Sequence, residues 1–218
     1  MQKTEKNYVL LTTLFCVCLV ISNVTAGKVV DMGIPFMGRS ITVPGAIVCY
    51  PITYLITDII GEVWGRAEAN RVVRVGLISQ VVATIIIILT RYLPFVDPEM
   101  QGAYVAMLGQ NWIFVVGSLA AYLVSQTLDV AIFHGIRKAI VQRTGSNRHR
   151  WIWNNASTML SQLFDTAIFI TIGFGLGFGW LFNDLQALAN MIIGQYMVKL
   201  IFAACDTPFF YFFTRKKN

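Results

Sequence analysis

Two stretches of this chain repeat one chemical word. SQTLDVAIF begins at Ser125 and SQLFDTAIF at Ser161, and six of the nine letters agree. Each sets a carboxamide and a carboxylate, Gln126 with Asp129 and Gln162 with Asp165, inside an apolar stretch. Other apolar stretches carry Ser22-Asn23, Thr57-Asp58 with Glu62, and Gln195 with Lys199 and Asp206. A charge at the centre of a membrane helix costs ~2.5–3.5 kcal/mol on insertion scales, so such groups pair, stay neutral or line a polar path. Asp58, Asp129, Asp165 and Asp206 face one ammonium, Lys199, which leaves a formal excess of −3 that internal pairing cannot cancel. That set suits a cationic or donor-rich solute, a proton relay, or both. The plainer alternative is that Lys199 pairs with one Asp while the others hold helices together as neutral acids.

The spacing decides which groups share a face. At 100° per residue, Ser118, Tyr122, Ser125, Gln126 and Asp129 fall within about 100° of arc. Asn154, Thr158, Ser161, Gln162 and Asp165 repeat that layout 36 residues later. Two neighbouring antiparallel helices thus carry matched polar stripes, and each is expected to offer an acceptor to one cavity. Gln195, Lys199 and Asp206 lie within about 40° of one another. At ~1.5 Å per residue, Lys199 and Asp165 fall near the membrane midplane, and Asp58, Asp129 and Asp206 roughly 7–9 Å toward the cytoplasm.

The elements that carry these groups are long and apolar. Apolar residues make up 56% of the chain and charged ones 13%, where a soluble domain has about 25% charged. A spanning helix needs about 20 mostly apolar residues. Six spans are predicted: Tyr8–Ala26, Val43–Val63, Val72–Tyr92, Trp112–Ile136, Asn155–Phe182 and Leu188–Phe213. The expected fold is an all-α integral membrane protein, a single six-helix transmembrane domain over 1–218. Gly27–Thr42, with Gly33, Pro35 and Gly38, reads as an external hairpin or a re-entrant piece. Pro94, Pro98 and Gly102 mark the third connection as loop. Gly173, Gly175, Gly177 and Gly179 give overlapping GxxxG spacings suited to close helix packing.

Charge sets the orientation. Thirteen Lys and Arg flank one side of the six spans, three flank the other, and Lys199 lies within a span. The positive-inside bias puts both termini in the cytoplasm. A cleaved signal peptide ending at Val24-Thr25-Ala26 is the rival reading, but the charge bias already closes with six spans. The net charge of +6 is spread between apolar segments and forms no patch for nucleic acid. Four cysteines inside apolar runs, no CxxC and only His134 and His149 argue against a metal site, and no cofactor is expected.

The chain also resembles the queuosine precursor transporters, a vitamin-uptake-like transporter family. The matching pieces are Ser22-Asn23, Tyr50-Pro51, Asp58 through Glu62 to Gly65, Gln126 with Asp129 and Phe133, Arg137, Ser157-Thr158 with Asp165, and Lys199. They run in family order across nearly the whole chain. The resemblance implies helices arranged as in the substrate-binding subunits of energy-coupling-factor vitamin transporters. It also implies a bacterial inner-membrane protein importing the cyano- or aminomethyl-deazaguanine precursors of queuosine. A deazaguanine offers adjacent N–H donors to a carboxylate and a carbonyl to an ammonium or amide. The substrate-binding set expected on that basis is Asn23, Asp58, Gln126, Asp129, Gln162, Asp165 and Lys199.

Other classes fit less well. A serine protease needs a Ser–His pair in the membrane, and neither histidine lies at mid-span. An aspartyl protease needs two acids sharing a site, which Asp129 and Asp165 could mimic. A pure scaffold needs no inward carboxylates. A vitamin- or nucleobase-binding subunit served by a separate energising module stays open, as does a homo-oligomer. The chain has no P-loop, so any use of ATP would come from a partner.

Overall fold

The computed structural model describes residues 3–36, 38–144 and 150–214. Helix α1 (Glu5–Thr25) leads into a hairpin of β1 (Val29–Phe36) and β2 (Arg39–Pro44), and a 3-10 turn (Gly45–Val48). Then follow α2 (Tyr50–Val63), α3 (Arg66–Arg91), α4 (Pro98–Leu108), α5 (Asn111–Thr144) and α6 (Arg150–Ile170). A π-helical turn (Thr171–Leu176), the short α7 (Trp180–Asn183) and α8 (Leu185–Thr214) complete the described chain.

The helices are built for lipid. On α3 the buried residues are Val72, Gly76, Gln80 and Thr84, while Ile78, Val82, Ile85, Ile86 and Leu89 stand exposed. Spacing by four puts small and polar groups on one stripe facing the bundle. The apolar residues face outward, as membrane packing favours. Helix α1 does the same, exposing Val9, Leu10, Leu14, Val17 and Ile21 and burying Ser22 and Asn23. Among the described residues, five helices are long and apolar enough to cross a bilayer.

Three sequence expectations change. The second predicted span, Val43–Val63, is not one helix: its first residues end β2 and form the 3-10 turn, and α2 has 14 residues. At ~1.5 Å per residue α2 is about 21 Å long, short of the hydrocarbon thickness by itself. The third connection is not all loop, since Pro98–Leu108 is helical. Asp97 caps it by accepting from Glu99 N at 2.9 Å, and Pro98 occupies the first turn. Proline and an acceptor before it start a helix as readily as they mark a loop. The fifth span does not run unbroken to Phe182: its α-helix ends at Ile170 and passes through the π turn. A Cβ at Gly173 would lie 2.7 Å from Phe114 Cδ1, so this turn depends on glycine for its approach to α5.

The segment after α1 forms a two-stranded hairpin. Its strands pair antiparallel from Val29 opposite Pro44 to Phe36 opposite Arg39. Asp31 Oδ1 accepts from Gly33 N at 2.8 Å and from the Ser40 hydroxyl. The hairpin rests on α8 at Gly194, where a Cβ would meet Ile41 Cγ2 at 2.5 Å and Thr42 O at 2.9 Å.

Two apolar clusters hold the bundle. Phe114, Phe169, Phe174, Leu188 and Met191 tie α5, α6, the π turn and α8 together, with Ala26 and Ala46 against them. Leu11, Phe15, Ile56, Ile59, Ile60 and Val72 join α1, α2 and α3. The polar groups of α2, α5, α6 and α8 converge in the same bundle.

Candidate functional site

Helices α5 and α6 share the most extensive helix contact of the described chain. Ala121 is buried in it; Ser125, one turn on, continues the same ridge. The Ser125 hydroxyl lies 3.4 Å from Asp165 Oδ1. The repeated word therefore meets itself across two helices, the serine of one copy against the aspartate of the other. Helix α8 packs on both α6 and α2 and brings Lys199 to the same place. Lys199 Nζ donates to Asp165 Oδ2 at 2.7 Å. The lysine side chain is 8% exposed and the aspartate 25%.

Helix α2 supplies an aromatic wall. Lys199 Nζ sits 5.7 Å from the centre of the Tyr50 ring. Tyr54, one turn later, stacks on Tyr50 at 6.3 Å with 21° between planes. A desolvated ammonium over an aromatic face gains from the ring quadrupole. The pair is thus flanked by flat rings on one side and a hydroxyl on the other.

The surrounding amides are under-used. Gln195 precedes Lys199 by four residues, which sets it about 40° away on the same face of α8. It is 3% exposed and lies beside the Tyr50 hydroxyl, yet neither its Nε2 nor its Oε1 makes a well-formed hydrogen bond. Gln162 Oε1 is buried and unpaired as well. Each such amide left unmatched costs about 1–3 kcal/mol, a cost that a polar partner would remove. Two cavities lie elsewhere, one beside Arg91 and Trp112 and one beneath the hairpin. Neither of these two includes Lys199 or Asp165.

The other expected residues are placed as follows. Asn23 is buried, with its amide turned back to the Leu19 carbonyl at 3.4 Å. Asp58 stands exposed one turn beyond Tyr54, about 40° around α2. Gln126 is exposed, about 100° around α5 from Ser125, and is not brought to the ion pair. Asp129, Asn154, Thr158 and Asp206 lie outside the described side chains. The residues not singled out for binding were Tyr50, Tyr54, Ser125 and Gln195. Their signal was present in the four-residue spacing of the two tyrosines and of Gln195 with Lys199.

An ion pair, stacked rings and spare amides inside a bundle can bind a flat polar solute. The family described as "Putative vitamin uptake transporter" matches residues 44–213, a range that holds every group of this site. The chain belongs to that family. A relative in Bacillus subtilis (strain 168), named "Probable queuosine precursor transporter", is 31% identical over 75% of this chain and 68% of its own length. A second with that name, from Haemophilus influenzae, is 24% identical over 57% of this chain and 49% of its own length. No solved structure matches the chain, so the likeness to vitamin-binding subunits rests on sequence resemblance. The family and relatives are named as transporters, and the chain is accordingly a multi-pass membrane transport protein rather than an enzyme.

Proposed function

We propose that this transporter imports queuosine precursors, the cyano- or aminomethyl-deazaguanines, across the bacterial inner membrane. The observation that carries the reading is the Lys199–Asp165 pair at 2.7 Å, its lysine buried and its aspartate partly so, set against Tyr50, whose hydroxyl neighbours the Gln195 amide. An ammonium has three protons, and one is given to Asp165. The others can meet a ligand carbonyl. Asp165 Oδ1, contacted among the described residues by Ser125 at 3.4 Å, can accept from the adjacent ring N–H and exocyclic amine of a deazaguanine. Tyr50 and Tyr54 offer a surface for the ring. A carboxamide presents donor and acceptor together, so Gln195 and Gln162 can read the remaining polar edge.

The relatives' names support this substrate class, and so does the acid excess, which favours the cationic aminomethyl form. The basic bias supports six spans with both termini cytoplasmic, α2 and the preceding 3-10 turn together making the second crossing. Energy coupling by protons, by the solute gradient or through a separate module fits the same site. The test is uptake of labelled aminomethyl- and cyano-deazaguanine into bacteria lacking their own route. Wild-type protein should restore uptake and the Asp165→Asn protein should not. Equal uptake with and without the wild-type protein would reject the reading.

A further inference from the structure

The cavity beneath the hairpin has a volume of about 380 Å³, within the ~300–1,000 Å³ usual for small-molecule sites. Asp31, Arg39 and Ser40 of the hairpin line one side, and Trp180, Asp184 and Asn190 the other. The charges are unequal, two carboxylates against one guanidinium. Arg39 is committed to Asp184 Oδ2 at 2.6 Å, and Asp184 Oδ1 accepts from Ala187 N at 3.0 Å. Asp31 is different, because both of its described bonds fall on Oδ1. Its second oxygen can take a donor.

Two further features point to a ligand. Asn190 is 5% exposed, lines this cavity, and its Oδ1 has no hydrogen-bond partner. A buried amide oxygen without a donor is costly, and it complements an N–H brought in from outside. Trp180 is held as a firm plate, 5.6 Å from Phe174 and 6.1 Å from Phe178. An indole face with a carboxylate opposite suits a flat cation or a donor-rich ring.

We infer that this cavity is a second, outer binding site that captures a planar cationic or donor-rich heterocycle before it reaches Lys199. The inference rests on the import reading above and adds a first station to it. Asn190 and Lys199 are nine residues apart on α8, about 14 Å along the helix. Nine residues also turn the helix by about 180°, so the two residues sit on opposite faces of α8 and the solute would pass around that helix to reach Lys199. Asp31 would accept from the solute's amine, Asn190 from a ring N–H, and Trp180 would hold the ring face.

The experiment titrates aminomethyl-deazaguanine into full-length protein in nanodiscs, reading heat and tryptophan fluorescence together. Wild-type protein is compared with Lys199→Met/Asp165→Asn, whose inner site is disabled. The double variant should keep a weaker saturable phase that quenches fluorescence, and adding Trp180→Phe should remove that quench. In cells, Asn190→Ala and Asp31→Asn should each raise the KM for uptake about fivefold with the maximal rate kept. Wild-type binding with no residual phase in the double variant, and unchanged KM in folded Asn190→Ala and Asp31→Asn proteins, would overturn the outer site alone. No binding to wild-type protein by either readout would overturn the import reading and the outer site together.

Discussion

Lys199 on α8 reaches Asp165 on α6 at 2.7 Å, two residues 34 positions apart in sequence. Neither charge is easily left alone. Breaking a buried pair by removing one partner costs about 3–5 kcal/mol, whereas replacing both is often near neutral. Lys199→Met and Asp165→Asn should each lower the melting temperature. The double variant should recover much of that loss, yet uptake should stay absent in all three. Thermal melts beside uptake in one set of preparations check this. Additive melting losses in the double variant would show that the two groups do not act as a pair.

The Tyr50 ring 5.7 Å from the ammonium predicts an aromatic requirement. Ring–ring contact with the ligand contributes about 0.5–1.5 kcal/mol, roughly two- to twelvefold in affinity. Tyr50→Phe, which keeps the ring, should bind ligand nearly as well as wild type, and Tyr50→Leu should weaken ligand binding by a factor in that range. Equal affinities for the Phe and Leu variants would remove the ring from the site.

The hairpin is pinned by Arg39 and Asp184, and its pH response follows from their geometry. The Asp184 carboxyl is held below its ordinary 3.8, first by the Arg39 guanidinium and then by the Ala187 N–H. A depressed acid gives stability that is fully present above the unfolded pKa and lost as pH falls through the folded one. Asp31 is depressed in the same direction, by the Ser40 hydroxyl and the Gly33 N–H. Hairpin protection, read by hydrogen exchange corrected for intrinsic rates, should stay flat from about pH 8 to about pH 5 and fail only below the ordinary carboxylate range. Asp184→Asn should raise exchange throughout. A midpoint near neutrality would point to some other anchor.

Thirteen basic flanks against three predict cytoplasmic termini on an even number of crossings. Cysteines placed at Ser40 and near residue 216 should differ in labelling by an impermeant reagent on intact cells, the first reactive and the second silent. The reverse pattern would invert the topology.

The residues show what was readable from sequence. Asp165 and Lys199 stood out because a charge in an apolar helix is costly wherever it lies. Their spacing on each helix could be computed, but which acid met the lysine depended on how α6 and α8 pack. Gln126 and Ser125 illustrate the limit. A stripe about 100° wide included both, and the close seam at Ala121 selected Ser125. The π turn and α4 escaped because glycine and proline carry opposite meanings by context. Gly173 admits Phe114, and Pro98 starts a helix that Asp97 caps. The hairpin strands were missed as strands because short apolar pieces between glycines leave pairing undetermined until α8 offers Gly194 as a seat.

Recognition of a deazaguanine by the Lys199–Asp165 pair is open to direct measurement. Its most direct test is calorimetric titration of aminomethyl-deazaguanine into purified wild-type, Asp165→Asn and Lys199→Met/Asp165→Asn proteins, each with its melting curve. Wild-type protein should bind it saturably. Affinity should fall at least about tenfold in both variants, since a charge-assisted hydrogen bond contributes about 1.5–3 kcal/mol. The double variant, though folded, should not regain affinity. Wild-type affinity in a folded Asp165→Asn protein would contradict recognition by the pair.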